Sequence, residues 1–428
     1  MVASQETGLK KPQVYESKRI QITSPILHIG SEVQKLSPFE YVQTPKRVYL
    51  PNQEALARAL QQRGRLNDYL ARIENRQEIA QLLEDTFGEN WQNAKDSNGE
   101  ELFPKIGIIP KWTDEKVTDL RPIIRNGMGQ LYIPGSSIKG AIRTAIAYYL
   151  IKHESDYQVP QSVRVSEIEK KLREKLDNGE LSNKHKQKFF DDNLFMNSLF
   201  SEFDLSYLGK SVKAKTGPNT DFMRAIKVSD SEPLIEETMV NKQGKPIKSN
   251  LPIVAEVIVS SRFPDDKAKY RASIYAEMVR NVRTEFTLTL DTEMLSRFTH
   301  KQSLKIPFKN LDELLKICQE FAQDQWDAEH DYWQNIKTNR HQGKNLEFAE
   351  IRHVYESEKC PFSLRMGWAS GMLGTTIGLC LDEELLPEIR DTCGIPAPNF
   401  EAPKSRRTVV SSSGEIKYVP GWVKFKPC

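Results

Sequence analysis

The stretch IPGSSIKGAIRTAIAYYLI, Ile133–Ile151, constrains the fold more than any other part of this chain. Pro134-Gly135 stops a short extended segment, because proline fixes φ and lacks an N–H. Ser136 or Ser137 then offers a hydroxyl as helix N-cap. Ile138, Ile142, Ala145, Ile146, Tyr149 and Leu150 fall on one stripe at helical spacing, which predicts a helix over Ile138–Ile151 with one buried face. Lys139 and Arg143 lie four apart, off that stripe and near the positive end of the helix dipole, where like charges repel mildly. The amides from Gly135 onward, the hydroxyls of Ser136 and Ser137 and the two cations would together form a phosphate seat. A capped helix with two ordinary surface cations fits the same residues. GxxxxGK[ST] is absent, so nucleotide hydrolysis is not predicted.

Around this helix, strand and helix signals alternate without the βαβ regularity of a doubly wound sheet, which predicts an α+β fold. Lys18–Ile29 reads as a first strand broken by Pro25, and Phe222–Val228, Ile253–Val259, Thr284–Leu290 and Tyr418–Phe425 read as later strands. Thr284–Leu290 alternates apolar and polar residues as a half-buried antiparallel strand does. Leu56–Phe87 predicts one or two exposed helices, and Leu311–Trp333 a long amphipathic one. The glycine-rich segment Leu364–Leu379 carries Arg365, Trp368 and Gly371. There Trp368 either stacks on a base with Arg365 on a phosphate, or packs in the core over tight turns. Arg224 and Lys227 should project to opposite faces of a strand, one toward a ligand path and one as an edge charge. Lys210, Lys213 and Lys215 read as a basic loop.

At 428 residues the chain suits two domains, and a division near Ala225 gives 1–225 and 226–428. Net charge is only +3, but residues 401–428 hold six Lys/Arg, including Arg406 and Arg407, against two Glu. That reads as a basic tail able to steer a polyanion, or simply as a solvated one. The first ten residues contain no apolar run for a signal peptide, and no stretch is apolar enough for a membrane span, so the expected location is cytoplasmic. Five scattered cysteines form no CxxC, and the seven histidines form no HxxxH pair. No metal and no cofactor are expected. His28 invites suspicion as an acid–base group, but metal-free RNA cleavage needs both a base and an acid, and His28 equally suits packing at a strand end.

PGSSIKGAIRTAI resembles the signature helix of the CRISPR RAMP superfamily, and SPILHIGSE (Ser24–Glu32) is similar to that superfamily's first strand and turn. DFMRAIKVSDSEPL (Asp221–Leu234) and SRRTV…PGWVKF (Ser405–Phe425) resemble the type III-A (Csm) subunit that caps the 3′ end of the guide RNA. RMGWASGMLG (Arg365–Gly374) is close to the family's glycine-rich loop, with Ala369 where a glycine is usual and a methyl group would restrict φ. The resemblance implies two ferredoxin-like, RRM-type domains with helical insertions and a non-catalytic role. Expected partners are crRNA, target RNA, neighbouring Csm subunits and separate trimming nucleases, with no membrane. RNA contacts are expected at Gly135, Ser136, Ser137, Lys139, Arg143, His28, Arg224, Lys227, Arg365, Trp368, Gly371, Arg406 and Arg407. The alternative is a metal-independent endoribonuclease that processes precursor guide RNA through His28.

Overall fold

The computed structural model describes residues 14–182, 190–207, 210–212, 217–240, 244–393 and 396–428. Lys213 and Lys215 of the expected basic loop lie outside them, while Lys210 opens a short strand, Lys210–Val212. The elements that build the main body, in chain order, are β1 (Tyr15–Leu27), β2 (Leu120–Arg121), α1 (Gly135–Lys152), β3 (Ile226–Val228), β4 (Leu251–Arg262) and β5 (Ala268–Asp291), followed by α2 (Leu311–Asn335), β6 (Leu364–Arg365), α3 (Gly371–Thr375), β7 (Arg406–Val410), β8 (Ile416–Tyr418) and β9 (Trp422–Pro427). The fold is α+β. All nine strands share one sheet in the order β6-β9-β1-β5-β4-β7-β8, with β2 and β3 also paired to β5.

β5 is the spine of that sheet. Its 24 residues span about 80 Å at ~3.4 Å per residue. The first half pairs antiparallel with β4, from Arg262↔Ala268 to Leu251↔Arg280. The second half pairs antiparallel with β1, from Leu27↔Val279 to Tyr15↔Asp291. The changeover falls at Asn281, which adopts φ +49. Asparagine tolerates this left-handed conformation better than most residues. Thr284, Phe286, Leu288 and Leu290 of the alternating Thr284–Leu290 segment are buried on one face, as the period-2 pattern requires.

Strands β1, β4, β5 and β9, with α1 after β1 and α2 after β5, form a βαββαβ unit whose strand order β9-β1-β5-β4 is that of a ferredoxin-like sheet. One apolar core joins Ile20 and Phe286 of the sheet to Ile142 and Ile146 of α1 and to Ile317 and Phe321 of α2. A second core forms under the far half of α2, where Trp326 and Trp333 meet Ile258, Val410 and Trp422. Ala225 lies immediately before β3, and both sides of it contribute to this sheet and to its larger core.

Several local expectations change. The helix begins at Gly135 with Pro134 as N-cap, not at Ser136 or Ser137. The backbone of Val228 and Ser229 passes so close that a Cβ on Gly135 would meet Val228 O at 2.5 Å, so the chain turns into the helix there. Besides the expected stripe, Ala147, Tyr148 and Ile151 are buried, because α2 covers a second side of α1. Leu56–Phe87 forms three helices (Gln53–Gln62, Leu66–Glu74 and Ala80–Phe87) around a small core of their own. Phe222–Ala225 is a 3-10 turn capped by the Asp221 side chain, so the strand begins only at Ile226. The basic tail is no tail: Val409, Trp422, Val423 and Phe425 are buried, which fixes β7 and β9 into the sheet.

Candidate RNA-binding site

The α1 end satisfies its charges internally. The Gly135 amide donates to Asp230 Oδ1 at 2.7 Å, so a protein carboxylate occupies the position foreseen for a phosphate. Lys139 Nζ donates to the Ile226 carbonyl at 2.7 Å, and burial holds its ammonium below the usual lysine range. Arg143 pairs with Asp221 Oδ2 at 2.6 Å and lies over the Phe200 ring at 4.0 Å. Ser136 is exposed and Ser137 half-buried beside them. Arg224 sits in the 3-10 turn and donates to the Asn219 carbonyl at 2.7 Å, while Lys227 is exposed on β3 over the Tyr15 ring. Tertiary pairing at this end ties α1 to the Asp221–Asp230 segment.

The glycine-rich loop gathers the other candidates. It leaves β6 at Arg365 and is stitched to the end of β1. The Trp368 amide donates to the His28 carbonyl at 3.1 Å, and the Ser370 hydroxyl donates to the Gly367 carbonyl at 2.8 Å. Gly367 adopts φ +87, and a Cβ there would meet His28 O at 2.5 Å, so only glycine lets the two strands of chain approach this closely. Ala369 lies outside the left-handed region, in contrast to Gly367 and Gly371, so its methyl group imposes no backbone strain. Met366 is buried and Met372 half-buried.

Trp368 is half-buried and organises charge around its ring. The guanidinium of Arg407 lies 4.5 Å from the ring centre and that of Arg121 5.2 Å, both in cation–π range. Arg407 also donates from Nη1 to the Trp368 carbonyl at 3.2 Å. Among the described residues neither Arg121 nor Arg407 has a carboxylate within ion-pair distance. Burial, with the charges of Arg121 and Arg365 adding to it, pulls Arg407 below the usual arginine range. Two half-buried guanidiniums without a carboxylate partner among the described residues suit an anion from outside.

His28 packs edge-on against Trp368 at 5.2 Å and is 3% exposed. Its Nδ1 is 2.7 Å from the Glu277 carbonyl, so that nitrogen carries the proton and donates. Burial lowers its pKa, and the Arg121 and Arg407 charges push the same way. It is a neutral, buried ring that positions Trp368 and the loop.

Arg365 and Arg406 are not surface cations. They are 4% and 7% exposed and share the buried carboxylate of Glu329, at 3.3 and 2.8 Å. Trp333 Nε1 donates to the same carboxylate at 3.0 Å. The triad anchors β6 and β7 to α2 beneath the loop.

Sequence reasoning missed Arg121 and Glu329. Arg121 stands beside Pro122 in a two-residue strand with no periodic signal, and Glu329 looks like one more charge on a long polar helix. Neither residue's role is visible without its distant partners. Among the described residues no group of three or more His, Cys, Asp or Glu side chains could hold a metal ion, and no helix is long and apolar enough to cross a membrane.

The site thus joins a ferredoxin-like sheet, a glycine-rich loop sewn to its first strand, and two guanidiniums beside an aromatic ring that have no carboxylate within ion-pair distance among the described residues. The chain belongs to the RAMP superfamily, whose pattern matches residues 19–356. It is similar to the CRISPR system Cms protein Csm5 of Enterococcus italicus, with 26% identity over 151 residues. That match spans 31% of this chain and 43% of the relative, so less than half of the relative is covered. Among solved structures, a chain in the cryo-EM structure of a Csm-crRNA-target RNA ternary complex of a type III-A CRISPR-Cas system is similar at TM-score 0.60 and 23% identity, covering 96% of this chain and 100% of that one. The crystal structure of T. onnurineus Csm5 is similar at TM-score 0.53 and 20% identity, over 95% and 100%. At these identities the two structures speak for the fold.

Proposed function

We propose that this chain is a non-catalytic RNA-binding subunit of a type III-A (Csm) CRISPR effector complex, holding crRNA near its 3′ end. One observation carries the reading: Arg121 and Arg407 flank Trp368 of the glycine-rich loop with no carboxylate partner among the described residues. An RNA backbone would supply the anions and an unstacked base would meet the aromatic group. The subunit would pack against neighbouring Csm subunits and protect the RNA it covers, so that guide length and maturation follow from coverage while separate nucleases trim the rest. Target RNA would pair with the guide alongside, in defence against foreign nucleic acid. Lys139 and Arg143 would act indirectly by bracing the Asp221–Asp230 segment.

The experiment is to tag the protein in its host, purify it, and sequence what accompanies it. Small RNAs with a shared 5′ tag and variable spacers, together with other Csm subunits, are the expected result. A preparation without RNA and without those subunits would overturn the assignment. Cleavage of precursor RNA by the purified chain in EDTA, lost in His28→Ala, would establish the nuclease reading instead. A buried His28 whose Nδ1–H is committed to Glu277 weighs against that outcome.

A further inference from the structure

Behind the glycine-rich loop lies a cavity of about 210 Å³, next to the Trp368 face but distinct from it. Its charged lining is Arg365, Arg390, Lys404, Arg406 and Arg407 against the single carboxylate of Glu329. Arg390 has its own neighbour in Asp391 Oδ1, at 2.7 Å, and also donates to the carbonyls of Ala397, Phe400 and Glu401. The remaining four cations face one carboxylate. Arg365 and Arg406 share it, while among the described residues Lys404 and Arg407 have no carboxylate within ion-pair distance.

Unmet hydrogen-bonding capacity points the same way. The Nε atoms of Arg365 and Arg407 are buried and find no hydrogen-bond acceptor among the described residues, whereas Arg406 Nε is taken up by Glu329 at 2.8 Å. Arg365 and Arg406 are more than nine-tenths buried as residues. A guanidinium donor left unpaired away from bulk water is unfavourable, and two around one cavity, with excess positive charge, call for an anion with several acceptor oxygens. Carboxylates are too few here, and a phosphate group offers three or more oxygens that match forked guanidinium donors. At about 30 Å³ per water of liquid volume, the cavity would hold roughly seven waters, enough for one phosphate but not for a stacked run of nucleotides.

We propose that this cavity seats one phosphate group of bound RNA, with Lys404 and Arg407 as its principal charge partners and Arg365 and Arg406, braced by Glu329, as its floor. The inference rests on the RNA-binding reading for the source of the phosphate, which is either the strand's end or an internal diester that dips into the cavity. Arg407 touches both the cavity and Trp368, so it couples phosphate capture to the loop.

The test uses the full chain freed of RNA, with two variants that spare the buried triad: Lys404→Gln, which removes a charge, and Ser405→Glu, which places a carboxylate at the cavity wall. Binding of a fluorescent single-stranded RNA ending in a 3′-phosphate is compared with that of its 3′-hydroxyl twin, and inorganic phosphate is titrated in a thermal-shift assay. Phosphate should raise the melting temperature of the wild type and not of the variants. Tighter binding of the 3′-phosphate strand, lost by about tenfold in both variants, would support the proposal with the strand end as source. Equal binding of the two strands, both weakened about tenfold in the variants, would support it with an internal diester as source. RNA binding unchanged in both variants, with no phosphate-dependent shift, would overturn the cavity site and leave the Trp368 reading standing. A phosphate shift in a protein that binds no RNA would instead overturn the RNA reading and RNA as the source.

Discussion

Replacing Arg121 and Arg407 with glutamine, singly and together, separates an electrostatic role from a structural one. Each guanidinium that neutralises a phosphate of single-stranded RNA releases counterions, and each such contact contributes about 0.7 to the slope of log affinity against log salt. Arg121 and Arg407 lie beside Trp368 with no carboxylate within ion-pair distance among the described residues, so each is taken to make one phosphate contact. The slope should therefore fall by about 0.7 in each single variant and about 1.4 in the double. Over a fourfold rise in salt, one lost contact changes the salt-induced loss of affinity by about 2.6-fold and two by about sevenfold. The assay is fluorescence anisotropy of a labelled single-stranded RNA at several potassium chloride concentrations. Arg407→Lys, which keeps the charge but loses the fork, should restore the slope while leaving affinity somewhat low. An unchanged slope in the double variant would refute the reasoning, because any affinity loss would then come from disturbing the loop through the lost Arg407–Trp368 bond.

Other consequences are open to direct measurement. Glu329→Gln leaves Arg365 and Arg406 buried without their shared charge and should lower stability by about 3–5 kcal/mol in urea unfolding; a loss below about 1 kcal/mol would show the triad to be dispensable. Gly367→Ala forces a left-handed alanine, at about 1–2 kcal/mol, and drives the loop off His28, so both melting temperature and RNA affinity should fall. Unchanged values for both would contradict the close approach. Because burial depresses His28, the unfolded chain takes up a proton there before the folded one does, so its contribution to stability is complete above the unfolded pKa of about 6.5 and lost as pH falls below it. The loss from this one proton approaches about 1.4 kcal/mol per pH unit, and His28→Gln should flatten the profile between pH 7 and about 5. Some slope should persist, since burial lowers His300 as well; superimposable profiles would refute the assignment to His28.

Legibility in the sequence followed how local each interaction is. The α1 stripe could be read because Ile138, Ile142 and Ile146 meet the core through one helix period. The second half of β5 was legible as Thr284–Leu290, whereas its first half shows no clean alternation because Tyr275, Ala276, Glu277, Met278 and Val279 are buried in succession on both faces, Glu277 with Arg125 at 2.9 Å. The glycine-rich loop announced itself, yet the roles within it did not. Arg365 and Arg406 look like Arg407 in the sequence, and what separates them is Glu329, tens of residues from either. The phosphate seat expected at α1 depended on two cations being free, and Asp221 lies 78 residues from Arg143. Charge counted along the chain cannot show which ions have found partners in space.

The sheet also dictates an order of events during synthesis. β1 lies between β5 and β9, so Ile20 is flanked by Phe286 on one side and Pro427 on the other. At about 5–20 residues per second, roughly 20–80 s separate the translation of Ile20 from that of its last neighbour. One edge of β1 stays bare until β5 arrives, and the other stays bare until β9 does. The glycine-rich loop cannot be sewn to His28 until later still. A nascent chain of this design is exposed to off-pathway strand pairing for most of its synthesis, and the glycine-rich loop is among the last parts to take shape.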